Sequence, residues 1–589
     1  MKTLFETPKS PHWNFAAYHP LLRLLVLALI VGSVVFSPPA LAKPDADADR
    51  ANSPDWWKQA VIYEIYPRSF ADSDNNGIGD LQGIVNHLPY LQTLGVDAIW
   101  ITPIFPSPQA DFGYDVANYE AVDPTYGTLA DVDCLVAEGR QRGIKVLLDF
   151  VVNHSSESNA WFQASRSSRT NAFRDYYIWR DGKGPGQPPN NWHSLFGGPA
   201  WTFDPTTGQW YFHQFMAQEP DLNWRNPVVE RNMFNVARWW CQRGIYGFRL
   251  DAVNALFEDP KLRDNPTLPG KDANGDQKQK PKYTVLMPEV HHELQKLRRV
   301  TDHFPGRILI AETWSGNSDE LIAYYGPHNH EIQFPMYLSL TTLPLSSHEL
   351  WAHIKAVEAN RVAGWPCFAL SNHDIRRAAT RYTPPGMNTD DVAKLIGALL
   401  ITIRGTPVLY YGEELGMVNN DPKRLEDVLD PMGRRLWPND KGRDGERSPM
   451  QWDASTNAGF NTGAKPWLPV GPNYVTHNTV TESAEPDSVL NFYRALIRLR
   501  HENPAFSGDF EPVDEQDSHV FGYLRASPKG TALVLLNITA QPVQVGLTDA
   551  NVQQVSSILL SHGAHLDQAI VRLDPFGVLI AAVEPATAK

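Results

Sequence analysis

An alternation constrains this chain more than any other feature. Eight short apolar runs recur between amphipathic stretches: "VIYEIY" (61–66), "AIWITPI" (98–104), "VLLDFV" (146–151), "GFRLD" (247–251), "ILIAE" (308–312), "EIQF" (331–334), "CFALSN" (367–372) and "VLYYG" (408–412). Runs of this kind read as strands buried on both faces. The stretches between them carry helical periodicity, as in "NPVVERNMFNVARWWCQRG", which ends at Gly244. Eight parallel strands returned by helices predict an α/β protein built on a closed (β/α)8 barrel.

Three departures from the alternation set the domain boundaries. About 100 residues separate the third run from the fourth, and 155–224 is rich in Trp, Gly, Pro and Asn with no long helix legible. This stretch is expected to be a subdomain inserted after strand three, so that the barrel comprises 56–154 and 225–509. A second irregular stretch, 417–470, follows strand eight. From 510 to 589 the pattern changes to short alternating runs, "HVFGYLRA", "TALVLLNIT", "PVQVGL" and "FGVLIAAV", which predict a small antiparallel β domain.

The N-terminus has its own logic. Lys2, Lys9 and Arg23 precede an apolar run from Leu24 to Phe36, followed by Ala40 and Ala42 in an A-x-A arrangement. The run is short for a bilayer span, and the pattern predicts a secretory signal peptide over 1–42, cut after Ala42. An uncleaved signal anchor is the competing reading. Residues 43–55 read as a flexible leader, and the mature protein is expected to be exported, periplasmic or extracellular, without stable membrane association. Cys134, Cys241 and Cys367 are an odd set beside apolar segments, and are expected to be buried free thiols. A net charge of -14 argues against nucleic acid as a partner. Oligomeric state is not legible.

Function in such a barrel collects at the C-terminal ends of the strands. Strand three ends in "DFVVNH", with Asp149, Asn153 and His154; strand four is "GFRLDAVN", with Arg249 and Asp251 on one face; strand five ends at Glu312; strand seven ends in "SNHD", with His373 and Asp374. One acid at a strand end is ordinarily a cap or an ion-pair partner. Four loaded ends in one barrel point instead to a shared pocket, in which neighbouring carboxylates push each other's pKa values apart.

The segment "DSDNNGIGD" (72–80) follows strand one. It matches the start of an EF-hand loop but has Gly83 where a bidentate glutamate belongs, and no helix–loop–helix pattern flanks it. A structural metal site and a metal-free acidic turn are the two readings.

With these motifs, the chain resembles the α-amylase family of glycoside hydrolases (family 13), in its α-glucosidase and oligo-1,6-glucosidase branch. The branch marks are "PDLNW" (220–224) and "GRDGERSPMQW" (442–452), with one departure: the branch carries Gln before "PDLN", and here it is Glu219. The resemblance implies Asp251 as nucleophile, Glu312 as acid/base and Asp374 as the carboxylate that grips sugar hydroxyls. It implies substrate contacts from Asp111, Tyr114, His154, Arg249, His373 and Arg443, with Asp149 supporting the loop. In similar enzymes the loop after strand one binds one structural Ca2+ or Mg2+. Here the ligands would be Asp72, Asp74, Asn76, the carbonyl of Ile78, and Asp80, with no organic cofactor. The implied activity is exo-acting, retaining α-glucosidase action on short, α-1,4-linked glucosides, with transglucosylation accessible. An oligo-1,6-glucosidase and a trehalose- or sucrose-converting isomerase are the near alternatives. A non-catalytic, membrane-anchored transporter accessory subunit is the alternative of another class.

Overall fold

In the computed structural model the described residues are 53–585, apart from 54, 273, 315–317, 360–363 and 514–516. The expected signal peptide and nearly all of the expected leader lie outside them. Among the described residues no helix is long and apolar enough to cross a membrane.

Eight strands close into a parallel barrel: β1 (Ile62–Ile65), β2 (Ala98–Ile101), β3 (Lys145–Val151), β4 (Gly247–Asp251), β5 (Ile308–Ala311), β6 (Phe334–Tyr337), β7 (Cys367–Ala369) and β8 (Thr406–Tyr410). Each pairs with its neighbour in sequence, and β1 closes the ring on β8 through Ile62↔Val408. Inward positions alternate along each strand. Ile62, Ala98, Leu147, Ile308, Ile310, Phe334, Met336, Cys367 and Val408 fill the lower barrel with Trp100, over a floor of Trp56 and Trp57. One inward step further along their strands stand Glu64, Asp149, Arg249 and Glu312. The polar site is thus the upper continuation of the apolar plug.

Strand six differs from expectation. The run "EIQF" was expected to form it, but the strand is Phe334–Tyr337, and Pro335 pairs opposite Ala311. Proline reads as a strand breaker because it donates no hydrogen bond, yet a parallel strand end tolerates it. The residues before it are spent on polar contacts: the Gln333 side chain accepts from the Leu309 amide at 2.9 Å, and Glu331 lies 2.7 Å from His291.

Helix starts follow local chemistry. Thr128 and Asp131 form a capping box on Leu129–Gln141, and Asn226 caps Pro227–Gln242, with Pro at its first turn. That second helix buries Val229, Met233, Val236, Ala237 and Trp240 against the barrel. Gly247 opens β4 at φ +151°, where a Cβ would sit 2.1 Å from the Ile308 carbonyl oxygen, so only glycine lets β4 meet β5.

Residues 155–224 carry the helix Ala160–Ser167 and a three-stranded antiparallel sheet of Trp179–Arg180, Trp201–Asp204 and Gln209–Phe212. A polar hairpin, Thr267–Lys271 with Gln277–Gln279, follows β4 and has no apolar alternation by which the sequence could announce it. The C-terminal sheet includes the four expected strands and two more, Asp509–Val513 and Val552–Asp567. Register shifts interrupt the pairing of Val552–Asp567, which scrambles its period of two. Buried Arg525 ties this sheet to the barrel by donating to the Thr402 carbonyl at 2.7 Å. Of the cysteines, Cys241 and Cys367 are buried free thiols as expected. Cys134 is exposed, because it falls on the outer face of the capped helix Leu129–Gln141.

Candidate active site

The site is built from two charge clusters. In the first, the guanidinium of Arg249, 1% exposed, meets three carboxylates. Its Nη1 donates to Asp251 Oδ1 at 2.7 Å and to Asp149 Oδ1 at 3.1 Å, and its Nη2 lies 2.9 Å from Glu312 Oε1. Glu312 Oε2 accepts from the Ala252 amide at 3.0 Å. Ala252 reaches this pose in the left-handed region, φ +50°, directly after β4. Burial, then the charge of Glu312, push the Asp251 carboxyl well up, and Arg249 opposes them. Asp149 is raised to about 6, with burial as the leading cause. Three carboxylates around one guanidinium cannot all ionise cheaply. The strain shows in Asp251 and Asp149, both raised, with burial as the leading cause.

In the second cluster one carboxylate, Asp374, meets two guanidiniums. Asp374 Oδ1 accepts from Arg443 Nη1 at 3.0 Å and from Arg447 Nη2 at 2.9 Å. Burial would raise this carboxyl, but His373, Arg443 and Arg447 together hold it well below the usual range. Arg443 also reaches Asp111 Oδ1 at 2.5 Å and Asp430 Oδ1 at 2.7 Å, so one guanidinium joins three loops across the pocket.

The predicted Tyr114 and His373 lie between the two clusters. Their rings stack at 5.4 Å and 8°. The Tyr114 hydroxyl donates to Asp149 Oδ2 at 2.9 Å and lies 2.6 Å from His373 Nε2. His154 is buried beside Asn153, with Nδ1 3.0 Å from Asn153 Oδ1. Its Nε2 has no hydrogen-bond partner and stands 3.7 Å from Glu219 Oε1, which also lacks one. Burial lowers His154 to about 3 and raises Glu219 well above the carboxylate range. The structure thus joins Asp111, Tyr114, Arg249, Asp251, Glu312, His373, Asp374 and Arg443 in one contact network, with His154 linked to Glu219 at its side.

Sequence reasoning missed three members. Arg447 lies within the quoted "GRDGERSPMQW", and its Nε also donates to the His373 carbonyl at 2.7 Å. Asp430 backs Arg443 and also caps the short helix Pro431–Leu436, accepting from the Gly433 amide at 3.0 Å; the Asp-Pro pair was the available signal. Glu64 lies on β1 beneath His373, where an inward acid within an apolar strand was the available signal.

The loop 72–80 also assembles. Carboxylate oxygens of Asp72, Asp74 and Asp80 lie within 4.8 Å of one another. Backbone amides and neutral side chains orient them: the Gly77 amide donates to Asp72 at 2.7 Å, the Ser73 amide to Asp80 at 2.8 Å, and Asn461 to Asp72 at 2.8 Å. Among the described residues no Lys or Arg forms an ion pair with these three carboxylates. Asn76 Oδ1 accepts from the Ile78 amide at 2.8 Å. Gly83 sits in the first turn of the helix Leu81–Leu94, where a Cβ would lie 2.0 Å from the Ala71 carbonyl oxygen, so no side chain of any kind fits there.

A family model for the alpha-amylase catalytic domain matches residues 64–509. The chain belongs to the alpha-amylase family of glycoside hydrolases. It is 40% identical over 496 residues to a probable alpha-glucosidase of Rhizobium meliloti (strain 1021), covering 82% of this chain and 90% of that one. It is 36% identical over 538 residues to an oligo-1,6-glucosidase of Parageobacillus thermoglucosidasius, covering 86% and 94%. Among solved structures, the trehalulose synthase MutB of Pseudomonas mesoacidophila MX-45 superposes with a TM-score of 0.83 at 35% identity, over 90% of this chain and 99% of that one. The alpha-glucosyl transfer enzyme XgtA gives 0.82 at 37%, over 90% and 99%.

Proposed function

We propose that the enzyme is an exo-acting, retaining α-glucosidase that releases glucose from the non-reducing ends of short α-glucosides, with α-1,4 links preferred. The single observation that carries this is Arg249 tethering Asp251 and Glu312 to adjacent nitrogens of one guanidinium. That arrangement draws the carboxyls toward the spacing of about 5 Å that double displacement requires. Asp251 attacks the anomeric carbon as Glu312 passes its proton to the glycosidic oxygen, and the aglycone leaves. Glu312, now ionised, takes a proton from water, which cleaves the glucosyl ester and restores both groups. A sugar hydroxyl in place of water gives transglucosylation, and the likeness to XgtA supports that outcome.

Exo action rests on the closed end of the pocket. Arg443 bridges Asp111 and Asp374 with Asp430 behind it, an arrangement that would close off one end and offer polar groups to a single terminal sugar. The trehalulose synthase likeness supports sucrose isomerisation as a second reading.

The carboxylates of 72–80 fit a hard cation. Three converge, among the described residues without a basic partner, and oxygen is the donor type they offer. Asp72, Asp74, Asn76, the Ile78 carbonyl and Asp80 would hold one Ca2+ or Mg2+, which would pin the loop after β1 and supply no chemistry to the reaction. The N-terminal signal pattern supports export.

Product analysis on maltose, isomaltose, sucrose and trehalose, with the anomer followed by NMR, tests the reading. The α-anomer of glucose should appear first from p-nitrophenyl α-glucoside, whose leaving group contributes no glucose of its own. First release of the β-anomer, or sucrose isomerised faster than maltose is cleaved, would sink it.

A further inference from the structure

A proton count beneath the pocket assigns a role to Glu64. This carboxyl is fully buried on β1, and its Oε1 lies 2.6 Å from His373 Nδ1. On the other side of the ring, Tyr114 has one hydroxyl proton and donates it to Asp149 Oδ2 at 2.9 Å. Its oxygen, 2.6 Å from His373 Nε2, can then only accept, so Nε2 must carry a proton. Asp374 Oδ2, 3.3 Å from the same nitrogen, draws that proton the same way. With Nε2–H fixed, a neutral imidazole has a bare Nδ1 facing Glu64. Two lone pairs at 2.6 Å repel, so the pair must hold one more proton, on Glu64 or on Nδ1.

Location decides between these. Both groups are fully buried, and burial favours a neutral acid beside a neutral base over an ion pair. The groups that face Glu64 are Arg249 from β4, Asp149 from β3, His373 and Asp374 from the β7 loop, and Tyr410 from β8. Arg249 is already committed to three carboxylates. Burial leads in raising Glu64 and in lowering His373. We propose that Glu64 is a positioning residue, a carboxylic acid at working pH that donates to His373 Nδ1 and so presents a neutral Nε2–H to the sugar pocket.

The inference rests on the glucosidase reading only where activity is the readout. Glu64→Gln keeps the shape and supplies an amide N–H to Nδ1, so kcat/KM on maltose should stay close to wild type. Glu64→Leu removes the donor, frees the ring to switch tautomer, and should lower kcat/KM about tenfold or more, with KM raised. An ion pair predicts the contrary, since Gln would strand an imidazolium. Loss in Glu64→Gln equal to that in Glu64→Leu, or no loss in either, overturns the proposal. A wild type minus Glu64→Gln infrared difference spectrum at neutral pH needs no activity and no Leu variant. It should show a carboxylic-acid C=O band, and a carboxylate band in its place overturns the assignment.

Discussion

Asp251 and Asp374 share one pocket and differ in how many guanidiniums each can claim. Around Arg249, three carboxylates share one guanidinium. Around Asp374, one carboxylate takes two guanidiniums. Sharing one guanidinium in a buried site leaves Asp251 and Asp149 raised, which suits acid–base chemistry. The charges around Asp374 hold it well below the usual carboxylate range, which suits gripping hydroxyls. The number of guanidiniums each carboxylate can claim, more than the identity of any one acid, divides the two.

The largest expected effects break the Arg249 side. Asp251→Asn removes the nucleophile and should cost on the order of 10⁴-fold or more in kcat on maltose. The same change should stabilise the fold near neutral pH. Asp251 is raised in the folded state, so the folded chain binds its proton more tightly than the unfolded chain does. Stability from this group is therefore present below the ordinary aspartate value of about 3.9 and is lost as pH rises through the raised folded value. Thermal melts should show the variant's advantage at neutral pH and its disappearance in acid; an advantage that grows in acid would invert the assignment. Glu312→Gln should cost about 10²- to 10⁴-fold on maltose, while a substrate with an excellent leaving group still glucosylates Asp251.

Arg447→Met tests the other side. Asp374, depressed in the folded state, contributes stability that is present above the usual carboxylate range and is lost only as pH falls through its lowered value. With one guanidinium removed, that value rises. Melts in acid should then fail at higher pH than wild type, and KM should rise more than kcat falls. Superposable acid melts would mean that Arg443 alone sets the charge of Asp374.

A third carboxylate group sharpens the comparison by having, among the described residues, no cation of its own. If Asp72, Asp74 and Asp80 await a metal, chelation should lower the melting temperature and added Ca2+ or Mg2+ should restore it. A ligand at a hundred times its Kd stabilises by about 2.7 kcal/mol. Melting that ignores chelator, together with no metal by elemental analysis, returns the loop to an acidic turn held by its own amides.

The barrel was legible because its strands are buried on both faces and its acids sit at their ends, so pattern and chemistry coincide. Strand six was misplaced because Pro335 obeys a rule that applies to sheet interiors more strictly than to a parallel strand end. Val552–Asp567 was missed because bulges break the alternation by which strands are read. Within the site, strand-borne groups such as Arg249 and Asp251 were found from spacing. Asp430 reads locally as the cap of Pro431–Leu436, and only the fold brings it to Arg443; Arg447 arrives on a loop, although it stood in a motif already singled out. Glu64 was overlooked for a different reason: a lone acid in "VIYEIY" reads as a blemish in a strand until the barrel shows that it points inward beneath His373.

The smallest expected effect concerns the hinge between β4 and the Glu312 contact. Ala252 is fully buried, lies at φ +50°, and offers its amide to Glu312. A branched side chain here would crowd the path by which an α-1,4-linked second sugar leaves the pocket, while the extra CH₂ of an α-1,6 link offers a way around. The left-handed backbone adds a cost unrelated to substrate, about 1–2 kcal/mol for a residue with a Cβ and more for a β-branched one. Ala252→Val should therefore lose stability and some activity on every substrate, so absolute rates do not discriminate. The ratio does. The kcat/KM ratio of isomaltose to maltose should rise by about tenfold, the scale of a small change in pocket shape. A Glu312 displaced by strain would depress both substrates alike, and an unmoved ratio would assign linkage choice to the loops after β6 and β8 instead of to this alanine.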